Sequence, residues 1–369
     1  MTRVGLDAHH LARPEGNRTY ALNLLEGLRR TGALADGPRL VAYAPQGAWP
    51  VGAGVEVRAP GDALLARAWT RLPLATWLQA RDRLDVWHAA WFAPPGPARL
   101  VLTIHDVLFA TRPDLFDRAR GALLRALVPR ALARAARVIA SSATTRQALL
   151  ATYGLDPARV RLVRFGIDLA RYHPDATPDD PALRRAAGVP AARPYVLAVG
   201  RPDRRKDLPG LMLALARARP GAGDPLLVLA GPLRAAAADL AGHAEVAGLP
   251  PGRLVVVSDP DEATLAALYR GCAAFAFPSL AEGVGAPVLE ALACGAPVVC
   301  SRDPALVEVA DGAAVHVAPG DRAALADALD VVLDGRERPP VAGPEVARGW
   351  SLEAMARGTA AVYREALTG

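Results

Sequence analysis

Lysine is almost missing from this chain: of 43 basic residues one is lysine, Lys206, and all the others are arginine. Cysteine is scarce too. Its three thiols (Cys272, Cys294, Cys300) stand in no Cys-x-x-Cys spacing, which argues against a disulfide framework or a thiolate zinc site and leaves them as small buried apolar residues. No uncharged apolar run reaches the roughly 20 residues that span a bilayer. Aromatics make up 5% of the chain and interleave with no basic patch, so no nucleic-acid surface is expected. No period of roughly 20–50 residues recurs, which excludes a solenoid. Walker A, His-Glu-x-x-His and Gly-x-Ser-x-Gly elements are all absent, and with them the phosphate loop, zinc protease and serine hydrolase chemistries they serve.

What is present fits a soluble globular protein: 369 residues, 52% hydrophobic and 22% charged, enough for two cores of similar size. The net charge of +6 is unevenly spread. Between Arg112 and Arg171 stand twelve arginines against four acids, Asp114, Asp117, Asp156 and Asp168. Such a half would steer an anionic acceptor or touch anionic lipid headgroups, unless it is simply a solvated surface. Met1–Asp7 reads directly as a strand, so no leader peptide is expected. The expected location is the cytoplasm, with peripheral membrane contact left open.

Short runs of Val, Ile and Leu alternate with Ala/Leu/Arg stretches at helical spacing. The runs lack polar alternation, as in parallel strands buried on both faces. Seven are expected in the first half, at 3–8, 40–44, 55–58, 85–88, 100–105, 138–141 and 160–164. Six follow in the second, at 195–200, 226–230, 254–258, 274–278, 297–301 and 314–317. Repeated strand–helix–strand units predict an α/β fold of two Rossmann-like, doubly wound parallel-sheet domains. Residues 1–172 form an acceptor-side domain and 173–349 a donor domain, joined through the turn-rich Tyr172–Pro181. An amphipathic helix at 350–369 ends the chain. Ligands of open parallel sheets lie beyond the carboxyl ends of the strands, so the expected active site is the cleft that two such sheets share.

The strongest motif runs from Pro278 through Ser279-Leu-Ala-Glu282-Gly283-Val284-Gly285-Ala286-Pro287 to Glu290-Ala-Leu-Ala-Cys294-Gly-Ala-Pro297. A strand enters a Gly-rich loop, and a helix starts at about Pro287, a residue suited to the first helical turn. Gly283 and Gly285 let backbone N–H groups approach a phosphate or sugar oxygen at the helix start, beside Val284 and Ala286. Glu290 is placed to accept hydrogen bonds from a ribose diol, and Glu282 to bind hydroxyls of a transferred sugar; the alternative is a plain turn with two solvated carboxylates. The loop is not Gly-x-Gly-x-x-Gly, so a dinucleotide fingerprint is not met. In Val199-Gly-Arg201-Pro-Asp-Arg-Arg-Lys206-Asp, Arg201 offers a planar fork and Lys206 a point charge for a diphosphate. Arg204 and Arg205 read equally well as surface cations. From the first half come His105, at a strand end, and Gly16-Asn17, between the first strand and a helix. A lone histidine there is more often structural than catalytic. Asp259-Pro260-Asp261 contains an Asp-x-Asp pair, which helix capping explains better than a metal diphosphate. No metal ligand set is expected.

These residues together resemble the GT-B retaining glycosyltransferases of family 4, the glycosyl transferases group 1, over nearly the whole chain. Glu282 to Glu290 reproduces that family's Glu-x7-Glu spacing; Val199-Gly-Arg201…Lys206 matches its phosphate-binding turn. Gly166-Ile-Asp168, His105-Asp106 and the terminal Trp350…Tyr363 helix also fit. The resemblance implies a metal-independent retaining transfer from a nucleoside-diphosphate sugar to a glycan or lipid-linked acceptor, with no cofactor. Arg201 and Lys206 would hold the leaving diphosphate, His105 and Glu282 the donor sugar, and Glu290 the ribose. The Thr103-Ile-His-Asp106 segment is mannosyltransferase-like, placing GDP-mannose first and UDP-sugars next. Three departures stand out: Val284 and Ala286 where Phe and Leu are frequent, Arg18 where a second Gly is frequent, and Phe165 for Asn. A non-hydrolysing sugar-nucleotide epimerase and a catalytically silent nucleotide-binding subunit are the alternatives of the same shape.

Overall fold

A computed structural model describes residues 2–8, 16–35, 37–44, 55–58, 74–93, 95–191, 193–218, 224–336 and 339–368, less the side chains of 16, 17, 55 and 74. The chain divides into two compact units: Met1–Gly166 with Trp350–Gly369, and Ile167–Gly349.

In the first unit the strands are β1 (Arg3–Asp7), β2 (Arg39–Tyr43), β3 (Val55–Arg58), β4 (Val86–Ala90), β5 (Arg99–Ile104), β6 (Arg137–Ala140) and β7 (Val160–Leu162). They form one parallel sheet in the order β3-β2-β1-β4-β5-β6-β7. Their apolar residues face helices on both sides, which is why the sequence shows runs rather than alternation. Tyr43, Trp87 and Phe109 lie in the core, the first two with ring centroids 5.3 Å apart. The closing helix Leu352–Thr368 lies against the helix Gly16–Thr31. At Gly27 a Cβ would stand 2.5 Å from the Leu352 carbonyl oxygen, so glycine is what lets the two backbones meet. Glu365 of the closing helix receives Arg161 at 2.8 Å and Arg137 at 3.3 Å.

The second unit carries β8 (Tyr195–Val199), β9 (Leu226–Gly231), β10 (Leu254–Ser258), β11 (Ala274–Phe277), β12 (Val298–Ser301) and β13 (Val315–Val317). They are parallel, in the order β10-β9-β8-β11-β12-β13. Chain direction across the sheet reverses between β8 and β11, the switch point where such sheets take ligands. Residues 167–172 group with this unit: Arg171 pairs with Glu262 at 2.7 Å, and the Tyr172 and Tyr269 rings meet at 6.0 Å. A buried ion pair, Asp180–Arg270 at 2.6 Å, ties the helix Asp180–Ala186 to the helix Glu262–Gly271. Arg270 and the Thr177 hydrogen bonds outweigh burial and hold the Asp180 carboxyl well below the usual range.

Each expected apolar run is a strand, with ends displaced by at most two residues. The three cysteines are free and buried. Among the described residues no helix is long and apolar enough to cross a membrane, and no group of three or more His, Cys, Asp or Glu is placed to hold a metal ion.

Candidate active site

The segments singled out in the second half leave the sheet on either side of its switch point. β8 runs into Gly200 and Arg201, and β11 into Pro278 and the Gly-rich loop. Gly200 has φ +149°, and a Cβ on it would come within 3.3 Å of the Lys206 Cε. Gly231, at the end of the neighbouring β9, has φ +142° and leaves no room for a Cβ, which would lie 2.5 Å from the Gly200 carbonyl oxygen. Asp203 then caps the short turn Arg204–Lys206 by accepting from Arg205 N, and Asp207 caps the helix Leu208–Arg217. This turn delivers Lys206 over the Phe277 ring, with Nζ 4.3 Å from the centroid.

Lys206 and Glu282 meet although 76 positions separate them. Nζ donates to the Glu282 Oε1 at 2.6 Å, with the side chains 13% and 8% exposed. Burial alone would raise the Glu282 carboxyl, but Lys206 and Arg205 together outweigh it and hold the group below its usual range. The two loops are also stitched by backbone, Leu280 N donating to the Arg205 carbonyl at 2.7 Å. Arg205, read from the sequence as a possible surface cation, is therefore built into the turn by its backbone, while Arg204 and Arg201 are exposed.

The loop ends at Gly285, the N-cap of the helix Ala286–Ala293. Its φ is +88°, and a Cβ would strike Leu306 Cδ2 at 2.4 Å. The helix thus begins one residue before Pro287, with Gly283 and Val284 buried in front of it. Glu290 lies on this helix, 7% exposed, with its Oε2 accepting from the Tyr269 hydroxyl at 2.9 Å. Burial raises its carboxyl from the ordinary 4.5 to about 7 against the lowering effect of that hydrogen bond. Glu290 is therefore a buried group, not the solvated carboxylate of the plainer reading. Asp303, which caps the helix Pro304–Ala310, brings a further carboxyl close enough to Glu282 to repel it.

Asp261 accepts from Thr264 N at 2.7 Å and caps its helix, as capping chemistry predicts for the Asp-x-Asp pair; Asp259 lies 3.6 Å from Arg234.

In the first unit His105 follows β5. Its backbone oxygen accepts from Thr145 Oγ1 at 2.8 Å, and its ring stands edge-on to Tyr20, 4.7 Å between centroids. Tyr20 OH meets Thr103 Oγ1 at 3.0 Å, and Thr103 meets His88 Nε2 at 2.7 Å. His88 Nδ1 in turn meets the Tyr363 hydroxyl of the closing helix at 2.7 Å. Burial, then the neighbouring His105, pushes His88 down to about 3, so this imidazole stays neutral. Gly16 opens the helix Gly16–Thr31. The Asn17 side chain and the His9-His10 pair lie outside the described residues.

Sequence reasoning missed Phe277, Tyr269, His88 and Asp303, and named Thr103 only as part of its strand-end segment. Phe277 and Tyr269 carry the only possible signal, aromatic side chains at the strand and helix ends that lead into the loop.

Two all-parallel α/β sheets, one with a Gly-rich turn into a helix at its switch point, are the architecture of GT-B transferases. The glycosyl transferases group 1 family model matches residues 179–344, and the glycosyltransferase family 4 model residues 15–171. A D-inositol 3-phosphate glycosyltransferase of Kribbella flavida is 32% identical over 84% of this chain and 73% of its own length. The chain spans 57% and 60% of two further relatives of that name. Sucrose-phosphate synthase from Thermosynechococcus elongatus superposes with a TM-score of 0.75 at 22% identity, covering 99% of both chains. The Anabaena protein HepE, solved with UDP-glucose, superposes at 0.74 and 19% identity, over 99% of this chain and 100% of that one. The chain belongs to glycosyltransferase family 4 and is a glycosyltransferase of GT-B fold.

Proposed function

We propose that the chain transfers a hexosyl group, with retention and without a metal, from a nucleoside-diphosphate sugar to a hydroxylated acceptor. The carrying observation is the Lys206–Glu282 pair at the switch point, beside the glycine-capped helix that bears Glu290. Lys206 and Arg201 bind the diphosphate, each charge-assisted hydrogen bond contributing about 1.5–3 kcal/mol. They act most where charge grows, as the C1–O bond breaks and the leaving phosphate oxygen keeps the electron pair. That oxygen takes the acceptor's proton while the acceptor oxygen bonds C1 from the same face. Glu282 holds the sugar hydroxyls, Glu290 the ribose diol, and Gly283–Ala286 the backbone approach to the donor. His105, with Gly16 and Asn17, completes the sugar side. HepE's UDP-glucose supports a sugar nucleotide as donor, and UDP-sugars join GDP-mannose as first candidates. Acceptors are glycans or lipid-linked sugars; the relatives named for inositol 3-phosphate favour one that carries negative charge, which the arginines of the first half suit. The acceptor side is the first unit, residues 1–166 with the terminal 350–369, and the donor side is the second, 167–349, so the boundary read from the sequence at 172 moves back to 166. Work in the cytoplasm at an anionic membrane surface completes the reading.

Thermal stabilisation by UDP and GDP, then donor turnover with product anomer assigned by NMR, tests it. A shift from one nucleotide that Glu290→Ala abolishes, with turnover falling more than donor affinity in Lys206→Ala, is expected. Donor isomerised without acceptor, or both variants indistinguishable from wild type, would overturn it.

A further inference from the structure

Lys206 is held by the protein's own groups. Its stem passes Gly200, where a side chain would crowd Cε, its ammonium stands on the Phe277 ring, and Glu282 Oε1 is 2.6 Å away. Both side chains are largely buried, at 13% and 8% exposed, so the attraction is little screened by water. The one lysine of the chain therefore shares its charge with a carboxylate. The Asp303 carboxyl is a neighbour of this pair: it takes a hydrogen bond from the Glu282 backbone, and the two carboxyls repel each other.

Donor and spent nucleotide differ at their terminal phosphate. In a sugar nucleotide that phosphate is linked on both sides, by an ester to the sugar and by an anhydride to the inner phosphate, and carries one charge. Once the C1–O bond has broken, the phosphate is a terminal group held only by the anhydride, with a second ionisation near pH ~6, and at neutral pH it carries more negative charge. The sugar hydroxyls that would have donated to Glu282 have gone with the product. Glu282 is then left with Lys206 as its partner and faces a more negative phosphate.

We propose that Glu282, besides contacting the sugar, weights this site against free nucleoside diphosphate: its carboxylate competes with the terminal phosphate for Lys206 and repels the charge that transfer creates. The site thereby favours intact donor over spent nucleotide and hastens product release. The inference rests on the donor reading above. Glu282 is on this account a determinant of substrate over product, and neutralising it should improve nucleotide binding while harming transfer.

Titration calorimetry of the full chain with UDP and UMP, or GDP and GMP if UDP does not bind, tests it in wild type and Glu282→Gln. Glu282→Gln is expected to bind the diphosphate on the order of tenfold tighter, with monophosphate affinity unchanged, because the monophosphate lacks the terminal group. Equal or weaker diphosphate binding by a folded Glu282→Gln overturns the inference, as does an equal gain for the monophosphate. Should that variant not fold, Glu282→Asp draws the charge away from Lys206 by one methylene. A gain of about threefold then supports the inference, and no gain overturns it. Absence of any nucleotide binding by wild type sinks the donor reading and this inference with it, a result distinct from wild-type binding without a gain.

Discussion

Glu290 illustrates how far one buried carboxyl can set the terms between stability and ligand binding. Its carboxyl titrates near 7 in the folded chain against an ordinary 4.5, because burial disfavours the charged form. With the folded value raised, the native state binds the proton more tightly than the unfolded chain does. Stability is then fully present below about pH 4.5 and is lost as pH rises to 7, by about 3 kcal/mol in all. Glu290→Gln keeps an acceptor for the Tyr269 hydroxyl and removes the ionisation. It should be more stable than wild type in urea unfolding at pH 8, by up to that amount, and no different at pH 4.5. Nucleotide affinity should move the other way, since ribose hydroxyls bind a carboxylate better than an amide. Gly285 is a second residue with one solution: at φ +88° and with Leu306 in the way of any Cβ, Gly285→Ala should cost about 1–3 kcal/mol and weaken nucleotide binding together. An unchanged urea midpoint would show that the loop relaxes without strain.

The helix Arg118–Arg134 gives the proposed membrane contact a definite surface. Arg120, Leu123, Leu127, Arg130 and Arg134 recur at three- and four-residue spacing and share one helix face. Leu123 is 54% exposed, and the three arginines are exposed beside it. The helix contains no acid. A basic face carrying leucine suits an anionic interface, where each arginine contributes about 1 kcal/mol. Cosedimentation with vesicles rich in phosphatidylserine should exceed that with phosphatidylcholine, and Arg130→Glu with Arg134→Glu should abolish the difference. Equal binding to both vesicle types would reduce this face to a solvated one. Elements of this kind were easy to find in the sequence, because burial on both faces writes β2, β4, β8 and β11 as apolar runs. Their ends were less sharp: β4 extends to Ala90 and β7 stops at Leu162, where cross-strand pairing and not apolarity decides. The Glu-x7-Glu loop was legible because a turn, a helix start and two acids lie within one short segment. What the acids touch was not. The Lys206–Glu282, Phe277–Lys206 and Tyr269–Glu290 contacts join residues 21 to 76 positions apart, and only the order of strands in the sheet brings them together.

At the scale of the molecule the first unit is discontinuous in sequence: the chain leaves it at Gly166, builds the second, and returns at Trp350. The returning helix is part of the first unit's core, with Leu352, Met355, Val362 and Tyr363 all at most 2% exposed. It also holds the interior of that unit in order, since the Tyr363 hydroxyl fixes His88, and through Thr103 and Tyr20 this chain of contacts reaches the ring of His105. Burial of four such side chains contributes about 1.5–3 kcal/mol each, a sum comparable with the entire stability of a domain. Ending the chain after Gly349 should therefore unfold the first unit and not merely loosen it. The second unit is one continuous segment with its own core, and the residues assigned to the nucleotide lie within that segment. Calorimetry of the truncated chain should show the first unit's transition lost, glycosyl transfer abolished, and the remaining transition still raised by the nucleotide that wild type binds. Loss of nucleotide binding along with transfer would mean that the donor site needs the first unit intact.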